Sequence, residues 1–211
     1  MNNRRSFIVG IKSTKLLLKE REFIKKYKPW GIILFSRNII NIKQAKRLTL
    51  SIRKIFKDSK YPILIDQEGG RVNRLKNIIS FNNLTSEFFG KKFISKPNEF
   101  IFFYNLFIDK TSYLLKLIGV NINTSPVLDL RIKGSSNVIG DRSFSKNPRI
   151  VSKIGDYCIS HYHKNRIATV IKHIPGHGLA KVDSHLFTPV VNKNLNYLLK
   201  NDFYSFKNKK S

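Results

Sequence analysis

Cysteine, methionine and tryptophan occur once each in the 211 residues, and 13 acidic side chains face 40 Lys and Arg. The lone cysteine, Cys158, excludes an internal disulfide, and without paired cysteines there is no zinc ribbon or iron–sulfur cluster. The chain therefore reads as cytoplasmic. Long apolar runs are also missing. A membrane-spanning helix needs about 20 consecutive apolar residues, whereas the longest stretch here, residues 100–108, is shorter and contains Asn105. No membrane partner is expected. The opening Asn3-Arg4-Arg5-Ser6-Phe7-Ile8 is similar in outline to a twin-arginine export signal, yet its apolar run stops at Lys12 and no small-residue cleavage site follows. There is no Gly-x-Gly-x-x-Gly, no Walker loop and no Gly-x-Ser-x-Gly elbow, so neither a nucleotide cofactor nor a serine nucleophile has support. No cofactor is expected.

What is present is positive charge and a core. Hydrophobic residues make up 41% of the chain, above the range of disordered proteins, and the length suits a single domain. The formal charge of +27 raises nucleic acid as a partner, because each neutralised phosphate releases counterions. The basic residues, however, are spread along nearly every segment. The densest clusters, Lys25-Lys26, Lys91-Lys92 and residues 207–210, lack the interleaved aromatics of a base-stacking platform. Joint enrichment in Lys, Asn, Ile and Phe reads as AT-rich codon usage, and no nucleic-acid partner is expected.

Apolar periodicity alternates between strand and helix. Residues 7–10 form a first strand, after which Ser13 offers an N-cap for a helix carrying Leu16, Leu17, Phe23, Ile24 and Tyr27. Residues 31–35 form a second strand. Asn41 then caps a helix with Ala45, Leu48, Ile52, Ile55 and Phe56 on one face. A third strand at 62–66 is followed by an irregular stretch and a helix over 99–117, with Phe103, Phe107, Leu114 and Ile118 inward and Gly119 closing it. Residues 120–123 make a fourth strand. Asn147-Pro148 opens a helix using Val151, Ile154, Cys158, Ile159 and Tyr162, residues 168–171 make a fifth strand, and a last helix holds Leu195, Leu198, Leu199 and Phe203. Continuous apolar strands separated by helices predict an α/β fold with a parallel sheet covered on both faces. Periodicity leaves an open doubly wound sheet and a barrel both possible.

Four of the five strands are each followed by a polar loop: Ser36-Arg37-Asn38, Asp66-Gln-Glu-Gly-Gly-Arg71, Ser125-Pro126 with Asp129, and Lys172-His-Ile-Pro-Gly-His-Gly178. Functional residues of a (β/α)₈ barrel sit just after strand C-termini, so this placement favours the barrel. Asp66 and Glu68 beside Gly69-Gly70 suit a tight turn, whether or not the carboxylates also bind something. Asp183 and His185, two residues apart, allow a carboxylate to orient an imidazole for proton transfer near neutral pH. His173, His177, Asp183 and His185 are also possible metal ligands, and His161-x-His163 adds two more. Their spacing fixes no coordination geometry, and no metal is expected. His161 and His163 read as a solvated helix end.

Taken together, these loops resemble the bacterial β-N-acetylhexosaminidases of glycoside hydrolase family 3. The resemblance rests on Gly31-Ile-Ile-Leu-Phe-Ser-Arg-Asn38, Ile65-Asp-Gln-Glu-Gly-Gly-Arg-Val72, residues 119–130, Gly140-Asp-Arg-Ser-Phe144, and Ile171-Lys-His-Ile-Pro-Gly-His-Gly178 with Asp183-Ser-His185, in that order and across essentially the whole chain. It implies one family 3 N-terminal domain over residues 1–211, a TIM (β/α)₈ barrel of which about five of eight strands are present. Asp66, Arg74, Arg142, Lys172 and His173 then correspond to residues that bind the non-reducing N-acetylglucosamine, His185 to the general acid/base and Asp183 to its orienting carboxylate. The family's aspartate nucleophile belongs to a later strand and is not among these 211 residues, and Asp202 does not take that role. The implied reaction is retaining hydrolysis of the β-1,4 bond between N-acetylglucosamine and anhydro-N-acetylmuramic acid in peptidoglycan recycling. The implied partner is a small muropeptide, and a closed barrel is expected to act as a monomer. A chain that only binds sugar is the alternative, and a basic nucleic-acid binder a more distant one.

Overall fold

The computed structural model describes residues 4–210, so Asn3, the first residue of the twin-arginine-like segment, lies outside the described residues. Five parallel strands form one sheet in chain order: β1 (Arg5–Gly10), β2 (Pro29–Leu34), β3 (Ile63–Ile65), β4 (Ile122–Asn123) and β5 (Ala168–Thr169). Consecutive parallel neighbours joined by helical crossovers are the arrangement of the first staves of a (β/α)₈ barrel, and here the sheet is open. All three residues of β3 are buried, because it has a partner on each side: Ile32 to Leu34 pair with Ile63 to Ile65, and Leu64 and Ile65 pair with Ile122 and Asn123. β1 has one neighbour only. The apolar run at 7–10 is consequently less buried than its composition predicts, and Ile8 is exposed.

The crossovers are α1 (Leu18–Tyr27), α2 (Ile42–Phe56), α3 (Ser86–Ser95), α4 (Pro97–Ile118) and α5 (Pro148–Lys164), with a short α6 (Leu195–Lys200) near the end. Two caps fall where the sequence predicts them: the Asn41 side chain accepts from Gln44 N at 2.9 Å, and that of Asn147 accepts from Arg149 N at 2.9 Å. Gly119 closes α4 in the left-handed conformation. Ser13 does not cap α1. The helix begins later, because Glu20 reaches back from its first turn to accept from Leu17 N and Lys12 N, giving the orphan amides a carboxylate that Ser13 does not supply. The final helix is shorter than the periodicity implies. It ends at Lys200, and residues 202–206 continue as a 3₁₀ turn, with Leu195 and Leu199 exposed.

The stretch between β3 and α4 is less irregular than expected, since α3 occupies part of it, capped by Thr85 Oγ1 accepting from Phe88 N at 3.0 Å. α3 and α4 enclose an aromatic cluster. Phe89 lies 4.5 Å from Tyr104 and 5.3 Å from Phe107 between ring centroids, and Tyr104 meets Phe144 edge-on at 6.1 Å. Phe103 is not part of it. The buried α4 face runs through Phe100, Tyr104, Phe107, Ile108 and Thr111, which turns Phe103 outward, where Lys92 Nζ lies over its ring at 5.5 Å. On α5, His161 is not a solvated helix end: its side chain is largely covered and pairs with Asp109 at 2.8 Å.

Phe144 ties this core to the loop that carries Arg142. The backbone of α3 approaches so closely that a Cβ on Gly90 would lie 1.7 Å from the Phe144 carbonyl oxygen. Neither helix nor loop has a flexible side chain there to give way. Gly90→Ala therefore forces the two apart, and thermal unfolding should show a loss of about 2 kcal/mol. A change of less than a few tenths would show that α3 does not brace this loop.

Candidate functional site

Strand ends set the site. Asp66 follows β3 directly, Thr124 follows β4, and Lys172 lies three residues beyond β5, so three polar groups emerge side by side at the C-terminal edge of the sheet. The sheet is prolonged there by side chains. Asn123 Nδ2 donates to the Gln67 carbonyl at 2.9 Å and its Oδ1 accepts from Gln67 N at 3.0 Å, fixing the loop after β3 against β4. The buried Gln67 in turn accepts from Arg74 N at 2.9 Å and Leu75 N at 3.1 Å, which folds the loop back and brings the Arg74 guanidinium over the Phe35 ring. Gly69 and Gly70 both adopt positive φ at the turn. Arg71 reaches across to donate to the Asn137 and Val138 carbonyls at 2.6 and 2.7 Å and pairs with Asp141, which holds the 3₁₀ turn Gly140–Arg142 against the β3 loop.

Within this frame Lys172 Nζ lies 2.9 Å from Asp66 Oδ1 and 2.6 Å from Glu68 Oε1. Arg142 grips Glu68 with two bonds of 2.8 Å, from Nε to Oε2 and from Nη2 to Oε1, and its Nη2 is 3.4 Å from His173 Nε2. Asp66 also accepts from Thr124 Oγ1 and faces Arg74 Nη2 at 3.5 Å. Behind them Asp129, fully buried, accepts from His173 Nδ1 at 2.6 Å and from His177 N at 2.6 Å. Burial pushes the Glu68 carboxyl up, but the Arg142 hydrogen bonds and the Lys172 charge outweigh it and hold the group below its ordinary value. Asp66 behaves likewise: burial is outweighed by Lys172, then by the Thr124 hydroxyl and Arg74. The Arg142 guanidinium loses water too, and Glu68 more than compensates, raising its pKa.

Accessibility sorts the cluster into a floor and a lining. The Glu68 side chain is 3% exposed, whereas those of Asp66, Arg74 and His173 are 20%, 29% and 38% exposed. The lining groups can therefore meet a ligand while Glu68 organises the cations beneath. All five residues that the sequence reading assigns to sugar binding, Asp66, Arg74, Arg142, Lys172 and His173, are brought together. Asp183 and His185 stand apart from them. His185 Nδ1 lies 2.8 Å from Asp183 Oδ1, and Asp183 Oδ1 also accepts from His185 N, a bond that, with the imidazole contact, holds the carboxyl below its ordinary value. The His185 imidazole is 83% exposed and, among the described residues, pairs with Asp183 rather than with the cluster.

Sequence reasoning did not assign roles to Glu68, Thr124 or Asp129. Asp129 follows an apolar strand in a polar loop, but nothing local says that its partners lie 44 and 48 residues on. Among the described residues, no group of three or more His, Cys, Asp or Glu is arranged to hold a metal.

Comparison with known proteins identifies the family. The model of the glycosyl hydrolase family 3 N-terminal domain matches residues 8–209. The chain belongs to that family. A β-hexosaminidase of Hydrogenovibrio crunogenus is 34% identical over 199 residues, covering 94% of this chain and 55% of that protein. Native NagZ from Neisseria gonorrhoeae superposes with a TM-score of 0.86 at 29% identity, over 96% of this chain and 58% of its own. The same protein in complex with N-trifluoroacetyl-D-glucosamine gives 0.82 at 29% identity, over 96% and 59%. This family 3 chain thus spans a little over half the length of these relatives, and its five strands form the corresponding part of a TIM-type barrel.

Breaking the Glu68 pair leaves Arg142 and Lys172 with less compensation in a water-poor site. Glu68→Gln is expected to cost about 3 kcal/mol at pH 7 in urea unfolding. Because the Glu68 pKa is depressed on folding, its stabilisation is fully present above the unfolded-state value of about 4.3 and is lost as pH falls below it. The variant should therefore show a flatter acid limb than the parent. Parallel acid limbs would remove Glu68 from the network's energetics.

Proposed function

We propose that this chain supplies the sugar-binding and acid/base parts of a β-N-acetylhexosaminidase. Asp66, ionised and partly exposed, accepts hydrogen bonds from a vicinal pair of sugar hydroxyls, and Arg74, Arg142, Lys172 and His173 donate to hydroxyl and acetamido oxygens. The observation that carries the reading is the lining itself: three accessible polar groups of complementary type, preorganised by the buried Glu68 and Asp129, at the strand ends where a barrel binds its substrate. The relative crystallised with an N-acylated glucosamine supports the choice of sugar. The finer reading is a muropeptide with N-acetylglucosamine β-1,4-linked to anhydro-N-acetylmuramic acid, cleaved with retention in cytoplasmic peptidoglycan recycling.

In that mechanism His185, oriented by Asp183, protonates the leaving oxygen and then activates water. Its exposed imidazole fits a group that meets substrate from a loop rather than from the barrel floor. We assign the nucleophilic carboxylate to none of the acids described at the site. Asp66 and Glu68 are pinned by cations, Asp129 is locked between His173 and His177, and Asp202 is buried. A second reading follows from the same facts: a chain that binds N-acetylglucosamine without turning it over.

Two measurements on the purified chain separate these readings, calorimetric titration with N-acetylglucosamine and release of nitrophenol from 4-nitrophenyl N-acetyl-β-glucosaminide. Binding should weaken at least tenfold in Asp66→Ala and in Arg142→Ala, the loss of one charge-assisted hydrogen bond of about 1.5–3 kcal/mol. Turnover abolished by His185→Ala, with binding intact, establishes the acid/base role. Binding without turnover selects the second reading. Absence of binding, or salt-dependent affinity for nucleic acid instead, overturns both.

A further inference from the structure

Asp202 has no part in the reading above, yet it is placed with more constraint than most residues that do. It opens the 3₁₀ turn Asp202–Phe206, which is fastened to α5 from its far side. Lys209, whose side chain is 2% exposed, donates to the Ser152 carbonyl at 3.0 Å, to Ser152 Oγ at 2.6 Å and to Asp156 Oδ1 at 2.8 Å. The turn so anchored presents Asp202, 2% exposed, to the glycine-rich loop after β5. Neither carboxyl oxygen meets the geometry of a full hydrogen bond, though the Gly178 and Leu179 amides of that loop lie near enough to favour its charged form. Much of the contact is steric. A Cβ on Gly176, which adopts φ +136°, would lie 2.7 Å from Asp202 Cβ, and one on Gly178 would lie 3.1 Å from Asp202 Oδ1 and 2.6 Å from the Leu130 carbonyl oxygen. At Gly178 the loop backbone is therefore held between Leu130 on one side and the Asp202 side chain on the other.

Between those two glycines lies His177, whose amide donates to Asp129 Oδ1 at 2.6 Å. The other oxygen of Asp129 holds His173 Nδ1 at 2.6 Å and His173 N at 3.2 Å, and His173 Nε2 faces Arg142 at 3.4 Å. The contacts thus run without a gap from α5 through Lys209, the 3₁₀ turn, Asp202 and the glycine loop to the imidazole in the site. We infer that Asp202 is a positioning residue, a wedge whose shape seats the Gly176–Gly178 backbone on Asp129 and so fixes the orientation of His173 toward the sugar. The inference rests on the sugar-binding reading only for what His173 does once it is oriented. Burial first, and then the neighbouring Asp129 carboxylate, push the Asp202 carboxyl above its ordinary range, against the opposing pull of the Leu179 and Gly178 amides.

Shape and charge are separated by two substitutions in the full 211-residue chain. Asp202→Asn keeps the shape, and Asp202→Glu keeps the ionisable group but adds a methylene where Gly176 and Gly178 leave no room. Selective ¹⁵N-histidine labelling reads the first effect: the His173 Nδ1–H, bonded to a buried carboxylate, should give a downfield proton resonance protected from exchange. Titration with N-acetylglucosamine reads the second. The Asn variant is expected to keep both the resonance and the affinity. The Glu variant, with a cooperative thermal transition as evidence of folding, is expected to lose the resonance and to bind at least fivefold more weakly. If Glu behaves as the parent, or if Asn loses the resonance, the wedge is wrong. Should the parent itself not bind N-acetylglucosamine, the sugar reading fails, while the resonance still decides the role of Asp202.

Discussion

Two carboxylates, Asp66 and Glu68, share one ammonium, that of Lys172, and most of the architecture follows from that arrangement. Both acids lie on one loop and both are withdrawn from water, so they stay ionised together only if cations are delivered to them. The cations come from far along the chain. Lys172 is 106 residues from Asp66, and Arg142 is 74 residues from Glu68. Lys172 arrives only if β5 pairs with β4 and β4 with β3, and Arg142 arrives only if its 3₁₀ turn packs against α3 and is held by Arg71. The reverse also holds, because Lys172 and Arg142 taken into the same site without their acids would carry an uncompensated desolvation cost. Sheet and site therefore specify each other.

This dependence explains which features were legible in the sequence. Strands β2 and β3 read clearly because each has a partner on both sides, so every position is apolar, and the polar loops that follow mark the functional edge. The caps at Asn41 and Asn147 were legible because a cap is a contact within three residues. Family motifs located Asp66, Arg74, Arg142, Lys172 and His173, which converge in the structure. What was not legible depends on distance or on competition. Asp129 meets His173 through the return of β5. Ser13 loses the cap to Glu20, a choice decided by where Lys12 and Leu17 place their amides. Phe103 differs from Tyr104 by one step around α4, and only the packing of α3 and α5 fixes which of the two faces inward.

The open sheet has its own consequences. Among the described residues β1 pairs with β2 alone and β5 with β4 alone, and apolar side chains at Val170, Ile174, Leu186, Phe187, Val190 and Leu195 beyond β5 are exposed. Such an edge offers unpaired backbone groups beside greasy surface, the usual template for association between identical chains. A net charge of +27 opposes that encounter, since every copy repels every other before the edges meet. Such repulsion needs no motif and no particular placement of lysines.

His173 and His185 are held in opposite ways, and the difference bears on the roles proposed for them. His173 takes its orientation from Asp129, 44 residues earlier, and from a loop wedged between Leu130 and Asp202, so its position is a property of the tertiary fold. His185 takes its orientation from Asp183 two residues away, within a turn closed by Leu186 N and Phe187 N donating to the Asp183 carbonyl at 3.0 and 2.9 Å. The pairing is complete within five residues. A sugar-binding group must present one geometry to every ligand, which favours long-range anchoring. The proposed acid/base must protonate one oxygen and then deprotonate a water that replaces the departed group, tasks that suit a dyad assembled by local bonds. On the proposed roles, a histidine anchored through the tertiary fold at the strand edge and one held by its own turn in the loop beyond divide these requirements between them.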